Sequence, residues 1–325
     1  MTSPSTFVYE PSLSARQPKD WVPSLKTPFP LEELSDLKNH GLSDESIAKI
    51  VNLQRRFIHL VREKVAVGNI NGISLETKIF RTMTCEDFHL TIQTGKLHLT
   101  NPLRWAEWGD TWEAAIISGG VFTQRTDDEK VVPITNLIRE KVKNWYGQSW
   151  SLTEENDAIW NRYTQSNHRA VRISTTVRKL MLALFRDETF ARTTFLDKVL
   201  YLSNLEIDLE KTSLTMPFEE ERSIRRLLSL KRQAYHYENE VRLLFFDSDQ
   251  QNVVSQGLYY DFPLDGKLEW PSFIESVTLD PDCPDSCIEA ESAFLKSCGL
   301  YFSVEKSPLK KPSLAPAIVH FNNRC

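Results

Sequence analysis

The sequence predicts an α+β fold with a helical extension at its N-terminal end. Segments with the two-residue alternation of strands sit among segments of helical period in irregular order, which argues against a doubly wound sheet. The strand-like segments cluster in the later part of the chain. Glycine is scarce, 11 in 325 residues, and neither GxGxxG nor GxxxxGK[ST] occurs, so the Gly-rich phosphate loops of nucleotide-binding α/β folds are absent.

In order, residues 1–29 carry Ser, Thr and five prolines and read as an irregular arm. Residues 30–72 read as a helical pair, with Ser43 as an N-cap and Ile47, Ile50, Val51, Leu53, Ile58 and Val61 at helical spacing. Residues 73–306 form the main α+β domain, and 307–325 read as a loose tail. Within the domain "TKIFRTM" is a strand. "CEDFHLTIQTG" is a helix ending at Gly95, and "KLHLTNP" is a strand. "WAEWGDTWEAAIISGG" reads as a loop entering a helix, "WYGQSWSL" as a strand and "TEENDAIWNRYTQS" as a helix. "AVRISTT" is a strand, with a helix over 177–185 behind it. "EEERSIRRLLSLKRQAYHYENE" reads as one long basic helix. "VRLLFFDS", "SQGLYYDFPL" and "ESVTLDP" are strands, "SCIEAESAFLKSCG" a helix and "YFSVEKSPL" a strand.

Composition narrows the class. Hydrophobic and charged fractions of 41% and 26% are those of a soluble globular protein. A net charge of −5 is unlike a globally basic nucleic-acid binder. Five cysteines without CxxC, and without histidine at ligand spacing, read as reduced thiols rather than a zinc site, so no metal is expected. The N-terminus has neither a basic stretch nor an apolar core of signal-peptide type, and no apolar run is long enough to span a bilayer. A cytoplasmic protein with no membrane partner is expected.

Four segments concentrate polar and aromatic residues. Arg81, followed by Thr82, ends the first strand of the domain; it is either a solvated charge or a bidentate phosphate or ribose contact. In "WGDTWEA" Asp110 and Glu113 make a capping box or contact a ligand. In "SWSLTEENDAIWNRY" Ser149 and Ser151 share one strand face, with Trp150 on the other. Trp160 and Tyr163 are neighbours on one helix face; core packing or a ring-stacking pocket accounts for them. In "AYHYENEVRLLFF" Glu238 and Glu240 are two apart, so an extended chain points both to one side. Two like charges on one face are either solvated or required. Arg222, Arg225, Arg226, Lys231 and Arg232 precede them as a solvated face or an anion-binding cluster.

The order "KIFRTM", "LHLTNP", "WGDTWE", "SWSLTEENDAIWNRYT", "AVRIST", "LKRQAYHYENEVRLL", "IESVTLDP", "LKSCG" resembles a bacterial family known as domain of unknown function 2971, over about residues 76–306. Two places depart from that family's pattern. Gly109 and Thr111 stand for its Asn and Pro, and Ala170 for a Gly. The layout also resembles the ADP-ribosyltransferase superfamily, including the DarT-type toxins that modify DNA. That resemblance implies a split, mixed β core. It implies NAD as substrate, with Glu240 catalytic and Glu238 positioning or activating the acceptor. Arg81, Thr82, Ser149, Trp150, Ser151, Trp160 and Tyr163 would be the cofactor-binding set. A toxin or effector of a toxin–antitoxin pair or phage-defence system is implied, with a nucleic acid or protein as acceptor and an antitoxin or inhibitor protein as partner. The competing readings are a nucleic-acid-binding or nuclease-like defence protein using the basic segment, and a non-catalytic interaction module.

Overall fold

The computed structural model describes residues 43–107, 113, 123–125, 131–133, 135–164, 169–184, 193–203, 221–247, 259–263 and 273–310. The irregular arm, the first helix of the N-terminal pair and Asp110 lie outside the described residues. The chain separates into two compact units, Met1–Ile58 and His59–Cys325. Helix α1 (Asp44–Asn69) begins in the first unit and ends in the second; at its start Ser43 Oγ accepts from the Ser46 N–H at 3.2 Å.

The second unit is α+β, as the sequence predicts, with a mixed sheet flanked by helices. Its strands are β1 (Ile70–Asn71), β2 (Lys78–Thr84), β3 (Lys96–Thr100), β4 (Thr123–Arg125), β5 (Val131–Pro133), β6 (Trp145–Ser151), β7 (Ala170–Thr176), β8 (Thr194–Lys198), β9 (Leu200–Leu202), β10 (Leu230–Arg232), β11 (Glu240–Phe246), β12 (Tyr259–Pro263), β13 (Ser276–Leu279) and β14 (Val304–Lys306). The helices are α2 (Cys85–Thr94), α3 (Thr135–Val142), α4 (Asp157–Thr164), α5 (Val177–Leu184), α6 (Glu221–Leu227) and α7 (Ser286–Ser297). The main sheet runs β1-β8-β11-β6-β2-β7-β13-β14, with β3 joining β12 to β6. Pairing is antiparallel except for β1 with β8 and β13 with β14. Among the described residues no helix is long and apolar enough to cross a membrane.

Local chemistry sets the elements around the site. Thr84 Oγ1 accepts from the Asp87 N–H and starts α2. Gly95, at φ 68°, ends it in the left-handed conformation that glycine adopts without a Cβ penalty. Helix α4 begins at Asp157 and not at Thr153, because Asn156 Oδ1 takes the N–H groups of Ala158 and Ile159.

The long basic helix is a correction. Residues 221–238 break into α6, β10 and a 3-10 turn (Gln233–Glu238). The Ser229 carbonyl accepts from the Leu200 N–H rather than from a further helical turn, and Leu230–Arg232 then pairs in parallel with β9. Sheet pairing and the burial of Leu227, Leu228 and Leu230 outweigh helical propensity here. These leucines join Ile138, Val142, Trp145, Leu202, Ile224 and Leu244 in one apolar cluster.

Candidate active site

The site follows from one strand pair. β11 and β6 pair antiparallel along their whole length, with Glu240 opposite Ser151, Arg242 opposite Ser149, Leu244 opposite Gly147 and Phe246 opposite Trp145. Directly opposed residues share a face. The ladder therefore passes from a polar end to an apolar one, and Leu244 and Trp145 root it in the apolar cluster. At Gly147 an added Cβ would stand 2.6 Å from Trp105 Cζ2, so the glycine lets the indole lie against the strand.

On its other side β6 meets β2 at Phe80↔Ser151 and β3 at Thr100↔Gly147. Between these points the sheet parts. Arg81 Nη1 donates to the Ser149 carbonyl at 2.8 Å, and Gln148 Nε2 donates to the His98 carbonyl at 3.0 Å. A cleft of about 410 Å³ opens at the split, within the range of about 300–1,000 Å³ usual for small-molecule pockets. Arg81, Thr82, Ser149, Ser151, Tyr163, Glu238 and Glu240 all line it. Trp150 borders the cleft, but its ring is 2% exposed and lies edge-on to Phe273 at 6.3 Å. Trp160 is buried away from the cleft wall. Its Nε1 donates to Glu155 Oε2 at 3.2 Å, and the Arg172 guanidinium lies over its ring at 5.4 Å.

The two glutamates converge, though not by strand alternation. Glu238 closes the 3-10 turn and Asn239 sits at φ 41° before β11 begins. What brings them together is Lys231. Its ammonium donates to Glu238 Oε2 at 2.6 Å and to Glu240 Oε2 at 2.8 Å. Arg242 Nε donates to Glu240 Oε1 at 2.7 Å, and Ser149 Oγ donates to the same oxygen at 2.5 Å. Arg242 also pairs with the buried Glu113, donates to the Leu228 carbonyl at 2.6 Å and lies 4.5 Å from the Trp105 ring centroid. Glu113 thus joins the network, and its reading as a capping box with Asp110 lies outside the described residues. Glu238 Oε1 accepts from Arg162 Nη1 at 3.0 Å. The Glu240 N–H donates to Tyr201 Oη at 2.8 Å, and Ser151 Oγ donates to the Glu238 carbonyl at 2.8 Å.

Burial alone would raise the Glu240 carboxyl, but Arg242 and then Lys231 outweigh it and hold it well below the usual carboxylate range. Burial would lower Lys231, but Glu240 leads the charges that push it up. Burial raises Glu113 against the pull of Arg242, raises Tyr201 to about 12 and lowers Arg81. The cleft therefore presents an ionised carboxylate, fixed by two cations, and Arg81 shares its lining.

The basic cluster is not one surface. Lys231 is 5% exposed and committed to the glutamates, and Arg225 pairs with Asp197, while Arg222 and Arg226 are exposed. Arg242 and Trp105 are the site residues that the sequence reading passed over, and Lys231 entered it only as one of the basic residues before the glutamates, not as their partner. Arg242 carries a legible signal: two residues after Glu240 on one strand, it must share its face. Lys231 carries none, because its strand exists only through pairing with β9.

No family model matches the chain, so the resemblance to the domain-of-unknown-function family has no such match behind it. No curated protein matches it. Among solved structures the chain is similar to DarT of Thermus sp. 2.9. In complex with ADP-ribosylated ssDNA the identity is 9% and the TM-score 0.34, over 73% of this chain and 97% of that one. In complex with carba-NAD+ the values are 10% and 0.32, over 73% and 98%. In complex with NAD+ they are 10% and 0.32, over 72% and 96%.

Proposed function

We propose that the protein is an NAD-dependent ADP-ribosyltransferase that cleaves the nicotinamide–ribose bond and transfers ADP-ribose to a macromolecule. One observation carries the reading: the cleft at the β2–β6 split collects Arg81, Ser149, Ser151, Tyr163, Glu238 and Glu240 from separate elements. In the reaction the C–N glycosidic bond breaks and its electron pair leaves with nicotinamide. The ribose passes through an oxocarbenium-like centre, as in glycoside cleavage. Glu240, held ionised, stabilises that positive charge. Arg81 spends one donor on the Ser149 carbonyl, which orients its fork towards the cleft for the pyrophosphate. Tyr163 supplies a wall for a flat ring. Glu238, beside the acceptor, takes the proton that the attacking nucleophile loses.

The acceptor is a nucleic acid or a protein, and the resemblance adds a toxin role with a restraining antitoxin or inhibitor to the proposal. Incubating the purified chain with NAD and following nicotinamide release tests the reaction. Adding single-stranded DNA, RNA and protein acceptors in turn, with ADP-ribose labelled, identifies the class. The expected result is nicotinamide release with label on one of them. No release with any acceptor overturns the reading.

A further inference from the structure

The transferase mechanism gives no role to the buried Lys231. Lys231 is 5% exposed, on a three-residue strand, and touches both glutamates of the cleft. Two carboxylates brought together away from water do not both ionise near neutral pH unless a cation intervenes, because each raises the proton affinity of the other. On the reading above, both Glu238 and Glu240 must be ionised at once: one stabilises the ribose cation and the other accepts a proton. We propose that Lys231 is the positioning residue of the reaction, a single ammonium that bridges Glu238 and Glu240 so that both carboxylates stay ionised and aimed into the cleft.

The surrounding charges leave this task to Lys231. Arg242, from β11, grips Glu240 and is shared with Glu113. Arg162, from α4, grips Glu238 at the cleft mouth, where its side chain is 44% exposed. Arg162 also acts on Glu240 through its charge, but the Lys231 ammonium is hydrogen-bonded to both carboxylates. The remaining neighbours are four phenols, the His236 imidazole 5.1 Å from the Tyr201 ring, and Arg232 over the Tyr235 ring. Tyr201 accepts from the Glu240 N–H, Tyr235 lies with its ring 5.2 Å from the Lys231 ammonium, and Tyr237 and Tyr163 stand beside Arg162. The Tyr235 face adds a cation–π contact that holds the ammonium in place. The backbone supports the same point: β10 is pinned by its parallel pairing with β9, where Lys231 lies opposite Tyr201.

The proposal rests on the transferase reading, and its test separates the two. Nicotinamide release is measured from acidic to alkaline pH for the wild type, Lys231→Met, Lys231→Arg and the double variant Lys231→Met/Glu238→Gln, with thermal stability followed in the same buffers. In Lys231→Met one glutamate takes up a proton, so the acidic limb of the rate profile should move up by about one pH unit or more and the rate should recover on the alkaline side. Lys231→Arg should keep the limb near that of the wild type. The double variant removes the like-charge pair, so its limb should return towards lower pH although its rate stays reduced. A loss by the same factor at every pH in Lys231→Met means a purely structural lysine and overturns the proposal. If the wild type releases no nicotinamide at any pH, the transferase reading fails, and stability still reads the pairing. A carboxyl whose folded pKa is raised loses stability as pH rises through that value. The stability gap between wild type and Lys231→Met should therefore widen with rising pH and close in the double variant. A gap independent of pH, or a double variant less stable than Lys231→Met, overturns the bridging role. If Lys231→Met does not fold, the double variant decides: its folding supports the proposal and its failure overturns it.

Discussion

At Glu240 function and stability rest on one carboxylate. It accepts from Arg242, Lys231 and Ser149 while lining the cleft, so its charge is both the proposed catalytic charge and the centre of a buried ion network. Glu240→Gln keeps the shape and removes the charge. Its rate of nicotinamide release should fall by about 10²–10³-fold, the loss typical of one transition-state contact. It should also cost stability, because Arg242 and Lys231 lose a buried partner. Rates must therefore be normalised to folded protein, and a fully active, folded Gln variant sinks the assignment. Arg81 is the second residue test. Its Nη1 is spent on the Ser149 carbonyl, so a pyrophosphate contact must use its other donors. A lysine cannot serve both partners, and Arg81→Lys should weaken NAD binding by about tenfold or more by calorimetry. Unchanged affinity moves the phosphate elsewhere.

Among the elements, β6 governs the site, because it is fully paired on one side and parted on the other. Its face alternation was legible: Ser149 and Ser151 do face the cleft, and Trp150 is buried on the opposite side. The split was not legible, since it depends on how far β2 and β3 follow β6. The segment before Glu238 was misread as helix because its charges and leucines satisfy a helical period, while its partner strand Leu200–Leu202 lies about thirty residues upstream and carries no local signal. The convergence of Glu238 and Glu240 was anticipated on the wrong ground; a shared lysine, not strand alternation, brings them together. Gly147 offers a test at this scale. Gly147→Ala would place a methyl 2.6 Å from the Trp105 indole, with Leu244 Cδ2 at 3.3 Å behind it. Trp105 must move, and with it the ring beneath Arg242. The substitution should cost about 1–3 kcal/mol by urea denaturation, in line with overpacked cores. Wild-type stability in this variant would show that the indole is not seated on the strand.

Across the whole molecule the network makes stability depend on pH in a way that substitution can isolate. Glu240 has its folded pKa held below the unfolded value by Arg242 and Lys231. Such a group contributes stability that is fully present above its unfolded pKa, about 4.3, and lost as pH falls through the folded value. Glu113 and Asp197 act with the opposite sign. Burial raises both, so each loses stability as pH climbs through its raised folded value. The overall pH profile therefore mixes opposing contributions, and a simple acid-denaturation curve would not assign any of them. Comparing wild type with Glu240→Gln cancels the Asp197 contribution, because the Asp197–Arg225 pair lies outside the Glu240 cluster, and making both proteins in a Glu113→Gln background removes the group that shares Arg242 with Glu240. At neutral pH the wild type should be more stable by about 3–5 kcal/mol, the usual cost of breaking a buried pair. The gap should hold near neutral pH and narrow only below about pH 5, where the carboxyl begins to take a proton in the unfolded state. Paired thermal melts across that range measure it. A gap that narrows near neutral pH instead would mean that Glu240 is not held ionised by its two cations, and the electrostatic basis of the proposed chemistry would go with it.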